Sequence, residues 1–173
     1  TQKPQPDHLQ TATIIYTSGT TGTPKGVMHS FRSVGLAGEL GVELYHSVPT
    51  DRLLSYLPLA HVAERAMVEI AQLYSGFTVY FAVSQESFAA DIQRASPTIF
   101  FAVPRIWMKF QQAVLARIDA GRLNLLLRIP VLSRHIARKL LCSLGLADVR
   151  VAISGAAPLS TDLIQWYRSL GLE

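Results

Sequence analysis

Between Tyr16 and Val27 the chain reads Tyr-Thr-Ser-Gly-Thr-Thr-Gly-Thr-Pro-Lys-Gly-Val. Within Thr17 to Gly26 it places three glycines, five hydroxyl side chains (Thr17, Ser18, Thr20, Thr21, Thr23) and Lys25, directly after the β-branched, apolar run Thr11 to Tyr16. Gly19 and Gly22 carry no Cβ, so a backbone turning there can present its N–H groups to an anion. The hydroxyls add neutral donors or Mg²⁺ ligands, and Lys25 adds a positive charge able to follow a negative leaving group. A polyphosphate is the natural guest. The P-loop of nucleotide hydrolases is excluded, because it needs Gly-Lys-Ser/Thr and here Lys25 lies between Pro24 and Gly26. Pro24 also disfavours a helix inside the segment, so a loop rather than a helix dipole is expected to hold the phosphate.

The flanking chain alternates strand and helix. Thr11 to Tyr16 reads as a buried strand and Val27 to His29 as its continuation beyond the loop. Ser30 is an N-cap for a helix reaching about His46, with Gly35, Ala37, Gly38 and Gly41 forming a face for close packing. A strand over Arg52 to Leu57 ends at Pro58. A helix over Ala60 to Ser75 carries Val62, Ala66, Ile70 and Leu73 at helical spacing and stops at Gly76. Phe77 to Val83 reads as a fully buried strand, Ser87 to Ala95 as a helix and Thr98 to Val103 as a strand. Arg105 to Leu144 is helical with interruptions at Gly121 and Pro130. Asp148 to Ser154 reads as a strand, Gly155 to Leu159 as a small-residue turn and Ser160 to Leu170 as a helix capped by Ser160. Such alternation predicts an α/β fold with helices packed on the sheet faces.

Charge is regional. Residues 101–150 hold nine Lys/Arg against Asp119 and Asp148, within a net charge of +4. Phosphate or an anionic membrane surface suits such a patch; nucleic acid is disfavoured, since no binding motif is present and the aromatics do not interleave with the basic residues. The single cysteine, Cys142, cannot form an internal disulfide and has no metal-ligand spacing around it, which fits a reducing, cytoplasmic setting. The greasiest stretch, Leu123 to Leu141, is broken by Arg128, Pro130, Arg134, Arg138 and Lys139, so no segment has spanning length. A composition 49% apolar and 16% charged, starting at Thr1 and ending at Glu173 just past a helix-stop sequence, reads as a piece of something longer.

Tyr16 to Val27 resembles the phosphate-binding motif of the adenylate-forming (AMP-binding) superfamily, which includes acyl-CoA synthetases, luciferases and peptide-synthetase adenylation domains. Leu57-Pro58-Leu59-Ala60-His61-Val62-Ala63-Glu64-Arg65 resembles a second block of that family in its long-chain fatty acyl-CoA synthetase form. Ser154-Gly155-Ala156-Ala157-Pro158-Leu159 resembles the turn that lines the adenine and acyl pocket. Phe100 to Trp107 is also similar to the long-chain branch, with Phe100 and Trp107 read as core.

The resemblance implies that residues 1–10 are a surface lead-in and 11–173 the central portion of the large amino-terminal AMP-binding domain. It implies a long-chain fatty acid:CoA ligase using ATP, Mg²⁺ and CoA. Ser18, Gly19, Thr20, Thr21, Gly22 and Lys25 would hold the β- and γ-phosphates, with Thr17 the hydroxyl on the Mg²⁺ side. His61 and Ser154, Gly155, Ala156 and Ala157 would border the acyl-adenylate, and Lys25 and His61 are the candidate catalytic residues. Glu64 and Arg65 are expected as a structural ion pair or cap. His29 stands where the family often has Thr-His-x-Asn, and receives no duty. The family's Mg²⁺-binding glutamate block and its small carboxy-terminal domain with the adenylation lysine have no counterpart in this sequence. A non-catalytic nucleotide-binding fragment, or an enzyme passing the acyl group to a carrier protein, therefore stands as an alternative. The basic helices from Arg117 to Lys139 leave peripheral membrane contact open, although their charges do not share one face.

Overall fold

The computed structural model describes residues 7–17 and 24–172. Its order is β1 (Thr11–Thr17), β2 (Lys25–Ser30), α1 (Phe31–Tyr45), β3 (Arg52–Ser55), α2 (Val62–Glu64), a π-helical stretch Arg65–Ile70, α3 (Ala71–Ser75), β4 (Thr78–Phe81), α4 (Phe88–Ala95), β5 (Ile99–Ala102), α5 (Pro104–Leu115), α6 (Ala120–Leu127), α7 (Pro130–Leu144), β6 (Val151–Ser154) and α8 (Thr161–Ser169). The fold is mixed α/β, and the chain divides into two compact units, 1–50 with 55–79, and 51–54 with 80–173. Strands pair as β1 with β2, β3 with β4 and β5 with β6.

In the first unit, β1 and β2 form an antiparallel hairpin running from Thr11 opposite Ser30 to Thr17 opposite Lys25. The strand is where the sequence predicts it, but it is not buried: only Ile15 is covered, while Ile14 and Tyr16 face solvent. Its one partner among the described residues is itself exposed. Ser30 caps α1 by accepting from the Ser33 N–H at 3.2 Å, and His46 closes the helix in the left-handed region at φ 47°. Gly38 lets α1 sit against the following helix, since a Cβ there would lie 2.5 Å from Ile70 Cγ2. The close-packing face does not extend to Gly41, around which 4 Å is open.

The helical run Val62 to Ser75 does not cover the whole stripe its apolar spacing predicts: Ala66 and Ile70 are half-buried, and the two end positions are exposed. Val62 is 52% and Leu73 74% exposed, whereas Glu64, Val68, Ala71 and Ser75 are buried. Gly76, at φ 74°, then ends the run by donating to the Gln72 carbonyl.

In the second unit, β5 and β6 pair in parallel, Ile99 with Val151 through Ala102 with Ser154. Phe100, Ile92, Leu123, Leu146 and Trp107 form the core around them. The Trp107 ring packs edge-on to Phe100 and Tyr167 at centroid distances of 5.3 and 5.0 Å. Its indole N–H donates to the Ala102 carbonyl at 3.2 Å, and the Tyr167 hydroxyl donates to the Trp107 carbonyl at 2.7 Å; each such buried ring contributes about 2–3 kcal/mol. Phe77 to Val83 is not a fully buried strand: Phe77 is covered, but β4 is half-exposed and Phe81 and Val83 stand in solvent. The predicted break at Gly121 falls earlier. Asp119 caps α6 through the Arg122 N–H, which places Gly121 inside the helix. Pro130 opens α7 at a position where its missing N–H costs nothing.

Candidate functional site

The end of the β1–β2 hairpin sets the frame of the glycine-rich segment. Thr17 and Lys25 are the last paired residues, and the Thr17 hydroxyl donates to the Lys25 carbonyl at 3.4 Å. Lys25 therefore begins a strand rather than riding in the loop. Both side chains are exposed, and Lys25 makes no ion pair among the described residues. Gly26 faces Tyr16 across the ladder, and a Cβ there would meet Ile14 Cγ2 at 2.9 Å. Its smallness serves the hairpin. Ser18, Gly19, Thr20, Thr21 and Gly22, the predicted phosphate contacts, lie outside the described residues, as does Thr23.

His61 belongs to the same unit but to another element, the N-cap of α2. Its N–H donates to the Pro58 carbonyl at 2.8 Å, and its carbonyl accepts from the Glu64 and Arg65 N–H groups. Its Nδ1 is buried without a hydrogen-bond partner. Glu64 and Arg65 do not pair with each other. Glu64, 3% exposed, accepts from the Ser55 hydroxyl and from the Leu57 N–H at 3.4 Å. Burial pushes its carboxyl above the ordinary range, against the opposing pull of those donors and of nearby His61. Arg65 instead pairs with Glu69 at 2.8 Å and donates to the Leu59 carbonyl at 3.1 Å. Ser55 and Glu64 thus brace the segment carrying Pro58 to His61. The signal that finds Glu64 is its place on the buried 64, 68, 71, 75 stripe. His29 lies on β2 opposite Thr13 and borders a cavity of about 470 Å³ shared with Ile15, Phe31, Ile70 and Leu73.

In the second unit, β6 delivers Ser154 to the turn before α8. Ser154 Oγ is buried and unpartnered. Ala156 takes φ 69°, a left-handed conformation rare for a residue with a side chain. The smallness of Gly155 answers to the protein itself: a Cβ would lie 2.8 Å from the Phe101 ring. Ala156 and Ala157 are exposed, and Ser160 caps α8 through the Leu163 N–H at 3.3 Å. A cavity of about 220 Å³ opens beside Ser154, Trp107, Leu159 and Tyr167. Burial pushes the Tyr167 hydroxyl well above its ordinary value.

Long-range ties in the second unit escape sequence reasoning. Asp51, 2% exposed, accepts from the Thr98 hydroxyl at 2.6 Å and from Arg150 at 3.0 and 2.5 Å. Arg52 pairs with Asp148 at 3.0 Å and donates to the Ser96 carbonyl. These residues lie far apart in the chain, so no local pattern joins them. Among the described residues, no cluster of three or more His, Cys, Asp or Glu could hold a metal, and no helix is long and apolar enough to cross a membrane.

In chain order the described features are a hairpin flanking a glycine- and hydroxyl-rich segment, a histidine at a helix start and a small-residue turn with Ala156 in the left-handed region. The chain belongs to the AMP-binding enzyme family, whose model matches residues 1–173. It is 31% identical over 94% of its length to the rat long-chain-fatty-acid–CoA ligase ACSBG2 and 36% identical over 93% to FadD15 of Mycobacterium tuberculosis, also a long-chain-fatty-acid–CoA ligase. It spans 29% and 31% of the length of these curated relatives. Among solved structures it is similar to the A-PCP didomain of a carboxylic acid reductase from Segniliparus rugosus in complex with AMP, at 31% identity and a TM-score of 0.70, covering 94% of this chain and 22% of that one. ATP-bound MatB from Rhodopseudomonas palustris shares the fold at 23% identity and a TM-score of 0.65, over 95% of this chain and 28% of its own.

Proposed function

We propose that the chain is the central part of the adenylation domain of an ATP-dependent long-chain fatty acid:CoA ligase, in which residues 11–173 supply the phosphate-gripping hairpin and two further walls of the site. The observation that carries this is the Thr17–Lys25 closure of the hairpin, with an exposed threonine and an exposed lysine that makes no ion pair among the described residues at the two ends of the phosphate-type segment. Long-chain relatives at 31% and 36% identity support the substrate class.

In this reading a fatty-acid carboxylate oxygen attacks the α-phosphorus of ATP, pyrophosphate leaves, and the acyl-adenylate forms. The CoA thiol then attacks the acyl carbonyl and AMP departs. Lys25 steadies the negative charge of the departing pyrophosphate, and Thr17 with Ser18, Gly19, Thr20, Thr21 and Gly22 orients the β- and γ-phosphates. The family resemblance assigns His61 and the Ser154 to Ala157 turn to the acyl-adenylate, and His61 Nδ1 and Ser154 Oγ are each buried without a hydrogen-bond partner among the described residues. Mg²⁺ fits this donor set. It is commonly held by one or two protein oxygens together with substrate phosphates, and the Thr17 hydroxyl is exposed beside the phosphate segment. When bound, the ion would neutralise phosphate charge.

Lys25→Ala, or alanine at both Thr20 and Thr21, is expected to lower pyrophosphate release by about a hundredfold or more in the intact protein. Unchanged release would sink the assignment. Parallel assays with CoA and with a phosphopantetheinyl carrier separate this ligase from an enzyme that loads a carrier protein.

A further inference from the structure

A cavity of about 630 Å³ in the second unit has no part in the chemistry above. It lies between α5 and α7, with Ala89, Ile92 and Gln93 of α4 and Leu126 of α6 also lining it. From α5 it is lined by Phe110 and Val114, from the turn that follows α5 by Arg117 and Ile118, and from α7 by Ile136, Lys139, Leu140 and Leu144. The α7 residues are spaced i, i+3, i+4 and i+8, so that helix turns one face toward the space. Each of the two sets holds a single cation among apolar residues.

The polar groups fall into two kinds. Gln93 is already engaged, its amide donating to the Ser143 carbonyl at 2.7 Å. Arg117 and Lys139 are exposed at their heads and make no ion pair among the described residues. No acidic residue lines the cavity. An apolar trough of this volume, with its free charge all of one sign, is complementary to a molecule with an apolar tail and a single anionic head. The volume falls within the range of about 300–1,000 Å³ seen for small-molecule sites.

We infer that the α5–α7 cavity is a second binding site for a monomeric long-chain carboxylate, with the head between Arg117 and Lys139 and the tail along Val114, Phe110, Leu140 and Leu144. The choice of a carboxylate over another anionic head rests on the ligase reading; the amphiphile itself follows from the cavity.

The test is binding of a fluorescent hexadecanoate to the purified intact protein without ATP, with hexadecanol as competitor and anionic phosphatidylglycerol vesicles as a separate arm. Two equivalents are expected, one for the adenylation site and one for this cavity. Arg117→Glu with Lys139→Glu, both solvent-facing and so compatible with folding, should weaken one equivalent by about tenfold or more. Ala113→Trp, at an exposed position of the lining, should remove that equivalent by filling the space, while acyl-adenylate formation persists. Hexadecanol should compete at least about tenfold less well than hexadecanoate. The inference is overturned if neither variant changes the stoichiometry or affinity, if the alcohol competes equally, or if only vesicles bind. Loss of adenylate formation in Lys25→Ala with both equivalents retained leaves the cavity standing; an equivalent lost in the α5–α7 variants of a protein that makes no adenylate supports the cavity while the ligase reading fails.

Discussion

Glu64 offers a test in which fold, site and pH are tied to one carboxyl. It is buried, accepts from the Ser55 hydroxyl and the Leu57 N–H, and holds the end of β3 against the helix that begins at His61. Glu64→Ala removes both acceptors and leaves a small void. With a buried N–H left unpaired at about 1–3 kcal/mol and a modest cavity cost, the loss should total about 2–4 kcal/mol. Glu64→Gln keeps the volume and one acceptor oxygen, so its cost at neutral pH should stay below about 1.5 kcal/mol. The pH dependence has a definite sign. Burial raises the carboxyl above its ordinary 4.5, so the folded state holds this proton more tightly than the unfolded chain. Its contribution is complete below 4.5 and is lost as pH rises through the folded value. The wild-type protein should thus lose ground to Glu64→Gln as pH increases from about 4.5. Urea midpoints for the three proteins across that range read this directly. Parallel curves for wild type and Glu64→Gln, or an alanine variant within about 0.5 kcal/mol of wild type, would refute the assignment of Glu64 as a buried brace.

Two other changes probe the second unit. Gly145 caps α7 at φ 73°, and a Cβ there would lie 2.8 Å from the Ile92 backbone carbon, so Gly145→Ala should cost about 2 kcal/mol or more by chemical denaturation. Asp51→Ala strips Arg150 and Thr98 of their acceptor; because the Arg150 side chain is 38% exposed and water can partly replace the carboxylate, the cost should be about 2–3 kcal/mol, and it should shrink when Arg150→Met is already present.

What was legible in the sequence is what neighbours in the chain decide. Ser30 and Ser160 announce helix starts because a hydroxyl can reach an N–H three residues on, and Gly76 announces a stop because it accepts a left-handed turn. The Ser154 to Leu159 turn was legible for the same reason. Burial was not. Of the apolar positions 62, 66, 70 and 73, the middle two are half-buried and the outer two exposed, while Glu64 and Ser75 are buried, an order that side-chain polarity does not announce. Thr11 to Tyr16 and Phe77 to Val83 looked like interior strands from their β-branched and aromatic content, yet that content reports compatibility with a pleated surface rather than coverage. Asp51 and Arg150, 99 positions apart, meet because Thr98 bonds to the Arg52 backbone on one side and to the Arg150 backbone on the other. Two glycines of the quoted motifs have a reason inside the protein that the sequence does not show: Gly26 and Gly155 are small because Ile14 and Phe101 occupy the space a side chain would need.

Ser154 allows the site reading to be separated from structural roles. Four buried side-chain polar atoms among the described residues lack hydrogen-bond partners, and two of them, His61 Nδ1 and Ser154 Oγ, belong to residues singled out for chemistry from sequence alone. A buried group left unpaired costs about 1–3 kcal/mol, a penalty that a ligand's arrival would relieve. Ser154→Ala removes the hydroxyl at nearly constant volume, so the ligand-free protein should be unchanged within about 0.5 kcal/mol or slightly stabilised. Its stabilisation by saturating ATP and fatty acid should fall, because the group that waits for a partner is gone. Thermal unfolding with and without the substrates gives both quantities in one experiment. A ligand-free loss above about 1 kcal/mol would mean that the hydroxyl already has a structural partner. An undiminished ligand shift would mean that Ser154 faces no substrate.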